Sequence, residues 1–138
     1  MKTETKPYIF FYGRCAEALE FYTSVFGGSA DIMRVKDAPA DVQAHMPPNS
    51  GDLVMHAAFN ADGVTFFASD GMQSKDVDAE AGNVSIALNF EDAGRGERAI
   101  AALAEGGNVQ MPLGPAFWGG RFANVTDKFG TEWVVTLP

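Results

Sequence analysis

Residues 15–35 run CAEALEFYTSVFGGSADIMRV, and residues 92–113 run DAGRGERAIAALAEGGNVQMPL. Each is a helical stretch that ends in a Gly-Gly pair, Gly27-Gly28 or Gly106-Gly107, and then passes into an extended segment, Ser29 to Val35 or Asn108 to Leu113. Each half then closes with a turn and an aromatic-rich strand. In the first half Ala61-Asp62-Gly63 leads into Val64-Thr65-Phe66-Phe67; in the second Asp127-Lys128-Phe129-Gly130 leads into Thr131-Glu132-Trp133-Val134-Val135. A chain that repeats an element order must fold each half as a similar supersecondary unit. The expected architecture is therefore pseudo-twofold, with a pocket where the halves face each other.

The landmark spacing carries one interruption. Gly28 and Gly107 lie 79 residues apart, whereas Gly63 and Gly130 lie 67 apart, so the first half holds about 12 extra residues. Lys36 to Ser50 is where they fall, because Pro39, Pro47, Pro48 and Asn49 punctuate any regular element there. That segment reads as a surface excursion.

From Pro7 to Tyr12 the residues are aromatic and β-branched, as in a buried strand, and Gly13 breaks it. Cys15, Ala18, Leu19, Tyr22, Val25 and Phe26 recur at three- and four-residue steps, which marks one face of a helix. Leu53 to Phe59 and Val64 to Ala68 predict a hairpin around Asn60 to Gly63. Asp70 to Gly82 is acidic and poor in apolar residues, and reads as the linker between halves. Val84 to Phe90 alternates strictly, as a half-buried strand does. Asp92 is positioned to cap a helix running to Glu105, with Ile100 and Leu103 facing the core. Val109 to Met111, Phe122 to Val125 and Glu132 to Leu137 complete the second unit. The sum is an α+β fold of two β-α-β-β-β modules.

A chain of 138 residues is one domain's worth, able to bury a core without disulfides or a structural metal. Ten basic against eighteen acidic residues give a net charge of −8, a field that repels phosphate backbones, so no nucleic-acid partner is expected. The apolar runs are too short to span a membrane. Met1 to Pro7 is polar and mixed in charge, unlike a secretory signal, and Cys15 is the lone cysteine. These features read as cytoplasmic.

The chain also resembles a known family. Pro7 to Tyr22, continuing to Val25-Phe26-Gly27-Gly28, is similar to the opening of the PhnB-like branch of the vicinal oxygen chelate superfamily. Phe117-Trp118-Gly119-Gly120-Arg121-Phe122, with Val125 to Trp133, is similar to the closing signature of that branch. The superfamily includes glyoxalase I, extradiol dioxygenases, and bleomycin and fosfomycin resistance proteins. The resemblance covers nearly the whole chain. It implies one domain over 1–138, with module one at about 5–70, a linker at about 71–82 and module two at about 83–138. It further implies curled sheets around a cleft, and a homodimer. Some members of the branch carry a name that invokes a ubiquinone methyltransferase; no stretch of this chain resembles a methyl-donor site.

Metalloenzymes of the superfamily hold a divalent cation with His, Gln or Glu from four inner strands, and the cation serves as a Lewis acid. Carried over, those positions fall near Pro7–Tyr8, Phe67, Ser85 and Val134, none of which is His, Glu or Asp. Neither borderline nor hard cations find strong ligands there. No metal and no cofactor is therefore expected. His56, inside a predicted strand, has only Glu132 and Glu91 as candidate co-ligands by the family's geometry. His45 lies in the Pro-rich excursion. Cys15 opens the first helix, where a thiol is either activated or packed as a small apolar group. In the Phe117 to Arg121 stretch, Trp118 offers a stacking face and Arg121 a fork for an acidic oxygen.

Two functions follow as expectations. The first is metal-independent binding of a small molecule in an aromatic cleft lined by Tyr8, Phe10, His56, Phe67, Trp118, Arg121 and Trp133, with Ser85 at a family ligand position. The alternative is a divalent-metal-dependent lyase, isomerase or dioxygenase of the glyoxalase type, using His56 and Glu132.

Overall fold

The computed structural model of the chain describes residues 3–71 and 84–138, which fall into two compact units, one on either side of the intervening segment. The expected linker lies outside the described residues, apart from its first positions. In the first unit the order is β1 (Tyr8–Phe10), α1 (Cys15–Phe26), β2 (Ser29–Arg34), α2 (Ala40–Gln43), β3 (Val54–Ala61) and β4 (Val64–Ser69). The second unit has β5 (Ile86–Asn89), α3 (Ala93–Ala104), β6 (Asn108–Pro115), β7 (Arg121–Thr126) and β8 (Glu132–Leu137). The sheets have orders β1-β4-β3-β2 and β5-β8-β7-β6, so the second repeats the first. In both, the first strand pairs parallel to the last and the other neighbours pair antiparallel. The α+β fold with two β-α-β-β-β modules is what the chain adopts.

Alternation decides the two faces of each sheet. In the first unit Ala57, Phe59, Phe66 and Ala68 point toward α1 and are buried there with Leu19, Tyr22 and Phe26. Tyr22 meets Phe66 edge-on at 5.6 Å, and Phe59 stacks on Phe66 at 4.9 Å. Burying aromatic and aliphatic side chains of this size contributes about 1.5–3 kcal/mol each. Among the described residues of this unit, the other face of the sheet carries no helix. In the second unit Ala123, Val125, Trp133, Val135 and Leu137 are buried on the side of α3, together with Ala99 and Leu103 of that helix.

The repeated Gly-Gly has a packing cause. A Cβ on Gly28 would lie 2.1 Å from the Asn60 carbonyl oxygen, and one on Gly107 would lie 2.2 Å from that of Thr126. In each unit the chain leaving the helix must cross tightly over a neighbouring strand, and only glycine fits.

The structure differs from the sequence reading at several points. β1 ends at Phe10 and not Tyr12, because Tyr12 takes a left-handed φ of 45° and the chain turns. The cause is Asp70, read as linker but buried at the end of β4. Its Oδ1 accepts from the backbone N–H of Gly13 (2.9 Å) and Cys15 (2.8 Å), and its Oδ2 from that of Val54 (2.7 Å). The α1 N-terminus is thus capped by a carboxylate far away in sequence. In the excursion, a 3-10 turn at Val35–Asp37 and the short α2 form where no regular element was expected. Val35, Ala38 and Ser50 are buried there, so the segment is anchored. Finally, β5 begins at Ile86; Val84 is exposed. The Asp92 cap of α3 is as expected, accepting from the N–H of Arg95 at 3.1 Å.

Candidate functional site

The helix-free face of the first sheet gathers four of the eight expected ligand residues. Tyr8 and Phe10 alternate with Ile9 on β1, and both are exposed, at 42% and 49%. The parallel register sets Tyr8 beside Phe67, and Phe67 lies opposite Ala58 on β3. His56 sits two residues before Ala58, on the same face, and Met33 of β2 faces it across the strand pair. The rings touch in a continuous cluster: Tyr8 to Phe10 at 5.1 Å, Tyr8 to His56 at 5.7 Å, Tyr8 to Phe67 at 6.1 Å and His56 to Phe67 at 5.1 Å. Tilted contacts at these separations suit the ring quadrupoles.

Two polar features lie on this apolar floor. The Tyr8 hydroxyl is 3.2 Å from His56 Nδ1. If the phenol donates, the imidazole carries its proton on Nε2; if Nδ1 donates, the phenol proton is released to point elsewhere. Either neutral tautomer leaves one donor of the pair available. The Lys6 ammonium, one residue before the Pro7 carbonyl that accepts from the Phe67 N–H, lies 4.9 Å above the Phe67 ring. Lys6 and Met33 were not among the expected ligand residues. The two-residue period from Tyr8 and Phe10 pointed to Lys6, whereas Met33 becomes visible only through the β2–β3 register.

The other four expected residues belong to the second unit. Trp133 belongs to the core: it is fully buried on the α3 side of its sheet, and its indole N–H donates to Asp127 Oδ2 at 2.8 Å. Asp127 Oδ1 also accepts from the N–H of Phe129 and Thr131, so this carboxylate builds the turn before β8. Arg121 shares the α3 side with Ala123 and Val125, and its Nη1 bonds to Glu97 of α3 at 3.1 Å. It is spent on an intra-unit ion pair, not on the helix-free face. Ser85 is exposed, and its hydroxyl donates to Glu132 Oε2 at 2.9 Å. Trp118 packs on Phe122 at 5.1 Å and receives Phe117 edge-on at 4.9 Å, so these rings form a cluster of the second unit.

The donor set can be compared with what a divalent cation needs. The family positions supply a phenol, a phenyl ring, a hydroxyl and an isopropyl group at Tyr8, Phe67, Ser85 and Val134. Among the described residues no three His, Cys, Asp or Glu side chains come together in a group able to hold a metal ion. His56 is engaged with Tyr8, and Glu132 with Ser85. These side chains do not fit the cation of the superfamily's metalloenzymes.

Cys15 is buried in α1, and burial, together with the nearby Asp70 carboxylate, pushes its thiol up to about 12. A thiol that stays protonated is no nucleophile at neutral pH. The buried, apolar reading of Cys15 is the one the structure supports. No helix among the described residues is long and apolar enough to cross a membrane.

Comparison with known proteins agrees with this architecture. The family model described as 3-demethylubiquinone-9 3-methyltransferase matches residues 3–136. Protein PA1353 from Pseudomonas aeruginosa is similar at 35% identity with a TM-score of 0.83, covering 99% of this chain and 98% of that one. A putative 3-demethylubiquinone-9 3-methyltransferase, PhnB protein, from Bacillus cereus is similar at 25% identity with a TM-score of 0.76, covering 99% and 100%. A member of the glyoxalase/bleomycin resistance protein/dioxygenase superfamily from Sphaerobacter thermophilus shares the fold, at 18% identity and a TM-score of 0.58, over 100% and 98% of the two chains.

Proposed function

Because the chain belongs to the family described as 3-demethylubiquinone-9 3-methyltransferase, on a glyoxalase/bleomycin resistance fold, we propose that it is a PhnB-like protein that binds a small molecule without a metal ion. The ligand rests on the aromatic, helix-free face of the first unit. The observation that carries this reading is the convergence of Tyr8, Phe10, His56 and Phe67 on one face, with two of the rings, Tyr8 and Phe10, left exposed. Exposing large rings next to one another costs free energy, and such patches mark binding surfaces. The absence of strong ligands at the family's metal positions supports the metal-independent form. The methyl transfer in the family's description has no part in this reading, since the sequence offers no glycine-rich loop after a strand to hold a nucleotide-like methyl donor.

Titration with a neutral, environment-sensitive naphthalene dye tests the proposal. The dye should bind the purified protein, and Phe67→Ala should weaken it by about 1–3 kcal/mol if the ring forms the floor of the site. Binding unaffected by Phe67→Ala and by Phe10→Ala would place the ligand elsewhere and reject the proposal.

A further inference from the structure

We infer that the ligand of the first unit's aromatic face is a planar aromatic acid, its ring on the exposed Tyr8 and Phe10 beside Phe67 and its anionic oxygen on Lys6; this inference rests on the binding reading above. Four apolar or aromatic surfaces, Tyr8, Phe10, Phe67 and Met33, define a floor that selects flat, apolar bodies. What distinguishes one flat ligand from another is the polar rim, and the polar groups nearest the rings on this face are the Lys6 ammonium and the Tyr8–His56 pair. Lys6 holds its ammonium over the Phe67 ring at 4.9 Å, with its side chain only 24% exposed. The Tyr8–His56 pair adds a spare N–H or O–H whichever partner donates internally. A second cation placed on the Phe67 ring would meet Lys6 already in the favourable position.

The structure also marks where an anionic oxygen goes. Glu4, ahead of β1 and 67% exposed, brings a carboxylate oxygen within 3.6 Å of Lys6 Nζ. A loose, solvated pair of that kind contributes little, so an external carboxylate can replace it. The nearest acid by register on the same face is Asp31, opposite Ala58 on the edge strand β2. Two strand spacings separate it from Phe67, roughly 10 Å. At that distance physiological salt removes most of its repulsion. In a chain of net charge −8, a built cation over an aromatic floor is the feature that would draw an anion to this face.

Calorimetric titration at neutral pH with 2-naphthoate and with its uncharged counterpart 2-naphthamide separates the two levels of the argument. The naphthoate should bind about tenfold more tightly or better, as expected when a charged hydrogen bond is gained. That preference should collapse in Lys6→Met, survive in Lys6→Arg and shrink at high salt. Equal binding of the two probes, or a naphthoate preference untouched by Lys6→Met, overturns the assignment of an acid while leaving the aromatic face as the binding surface. Failure of both probes to bind the wild-type protein removes the binding surface itself, and the assignment with it.

Discussion

At the residue scale, two buried groups show how the same polar atoms can look functional in sequence and be structural in the fold. Trp133 sits in an aromatic-rich closing strand, where a ring is as easily read as ligand floor as core. Its indole is committed to Asp127, and its ring fills the α3 side of the second sheet. Trp133→Ala should therefore cost about 3–5 kcal/mol of stability, measured by urea unfolding, through loss of packing. Trp133→Phe should cost less but leave Asp127 short of one donor, and the affinity of the folded variant for the naphthalene dye should be unchanged. Cys15 is the second case. Its thiol is raised to about 12 by burial, and in the unfolded chain it titrates near its ordinary value of 9.0. Below pH 9 both states hold the proton and stability is unaffected. Between pH 9 and 12 the unfolded state loses it first, so stability falls as pH rises, by at most about 1.4 kcal/mol per pH unit. Unfolding free energies measured across that range should lose this slope in Cys15→Ala. A native protein whose thiol reacts promptly with a disulfide reagent at neutral pH would contradict the buried placement.

At the scale of elements, the two Gly-Gly pairs carry much of what makes the halves alike. Gly28→Ala and Gly107→Ala each drive a methyl group into a backbone carbonyl, and backbone cannot step aside as a flexible side chain can. Each variant should lose more than about 2 kcal/mol by thermal or denaturant unfolding. Gly63→Ala is the control: its φ is +80° but open space surrounds the new Cβ, so only the conformational strain of about 1–2 kcal/mol remains. Such repeated steric needs are why the element order could be read from the sequence: helix period, glycine pair, turn and strand leave local signatures. The register of β2 on β3 leaves none, and it alone brings Met33 beside His56. Nor does a local signature exist for Asp70, whose partners lie 16 to 57 residues away. The aromatic strands β1 and β4 were legible as strands, and alternation within each gave the right face for Tyr8, Phe10 and Phe67. In β7 and β8 the same alternation put Arg121 and Trp133 on the helix side, a placement decided by which face α3 covers.

At the scale of the whole molecule, the two units have the same topology and unlike surfaces. By register, Phe67 and Tyr8 of the first sheet correspond to Val134 and Ala87 of the second, so the repeat carries rings at one pair and aliphatic side chains at the other. The second unit instead exposes Val109 and Met111 on its edge strand β6, and Phe117 and Trp118 beyond it, with Phe117 97% exposed. An open edge flanked by apolar side chains favours association with a second copy, so a homodimer is the expected state. A monomeric mass by light scattering at micromolar and higher concentration would count against it, and Met111→Lys should shift a dimer toward monomer. Metal content provides the other whole-molecule test. With a phenol and a phenyl ring at one pair of positions and the aliphatic Ala87 and Val134 at the other, tag-free protein should carry well under one equivalent of divalent cation by elemental analysis. A cation bound only by the native state raises the melting temperature, so chelator should leave Tm where it was. Stoichiometric zinc, nickel or iron that vanishes in His56→Ala would instead make His56 a ligand, break its pairing with Tyr8 and point to the metal chemistry of the superfamily whose fold the chain shares.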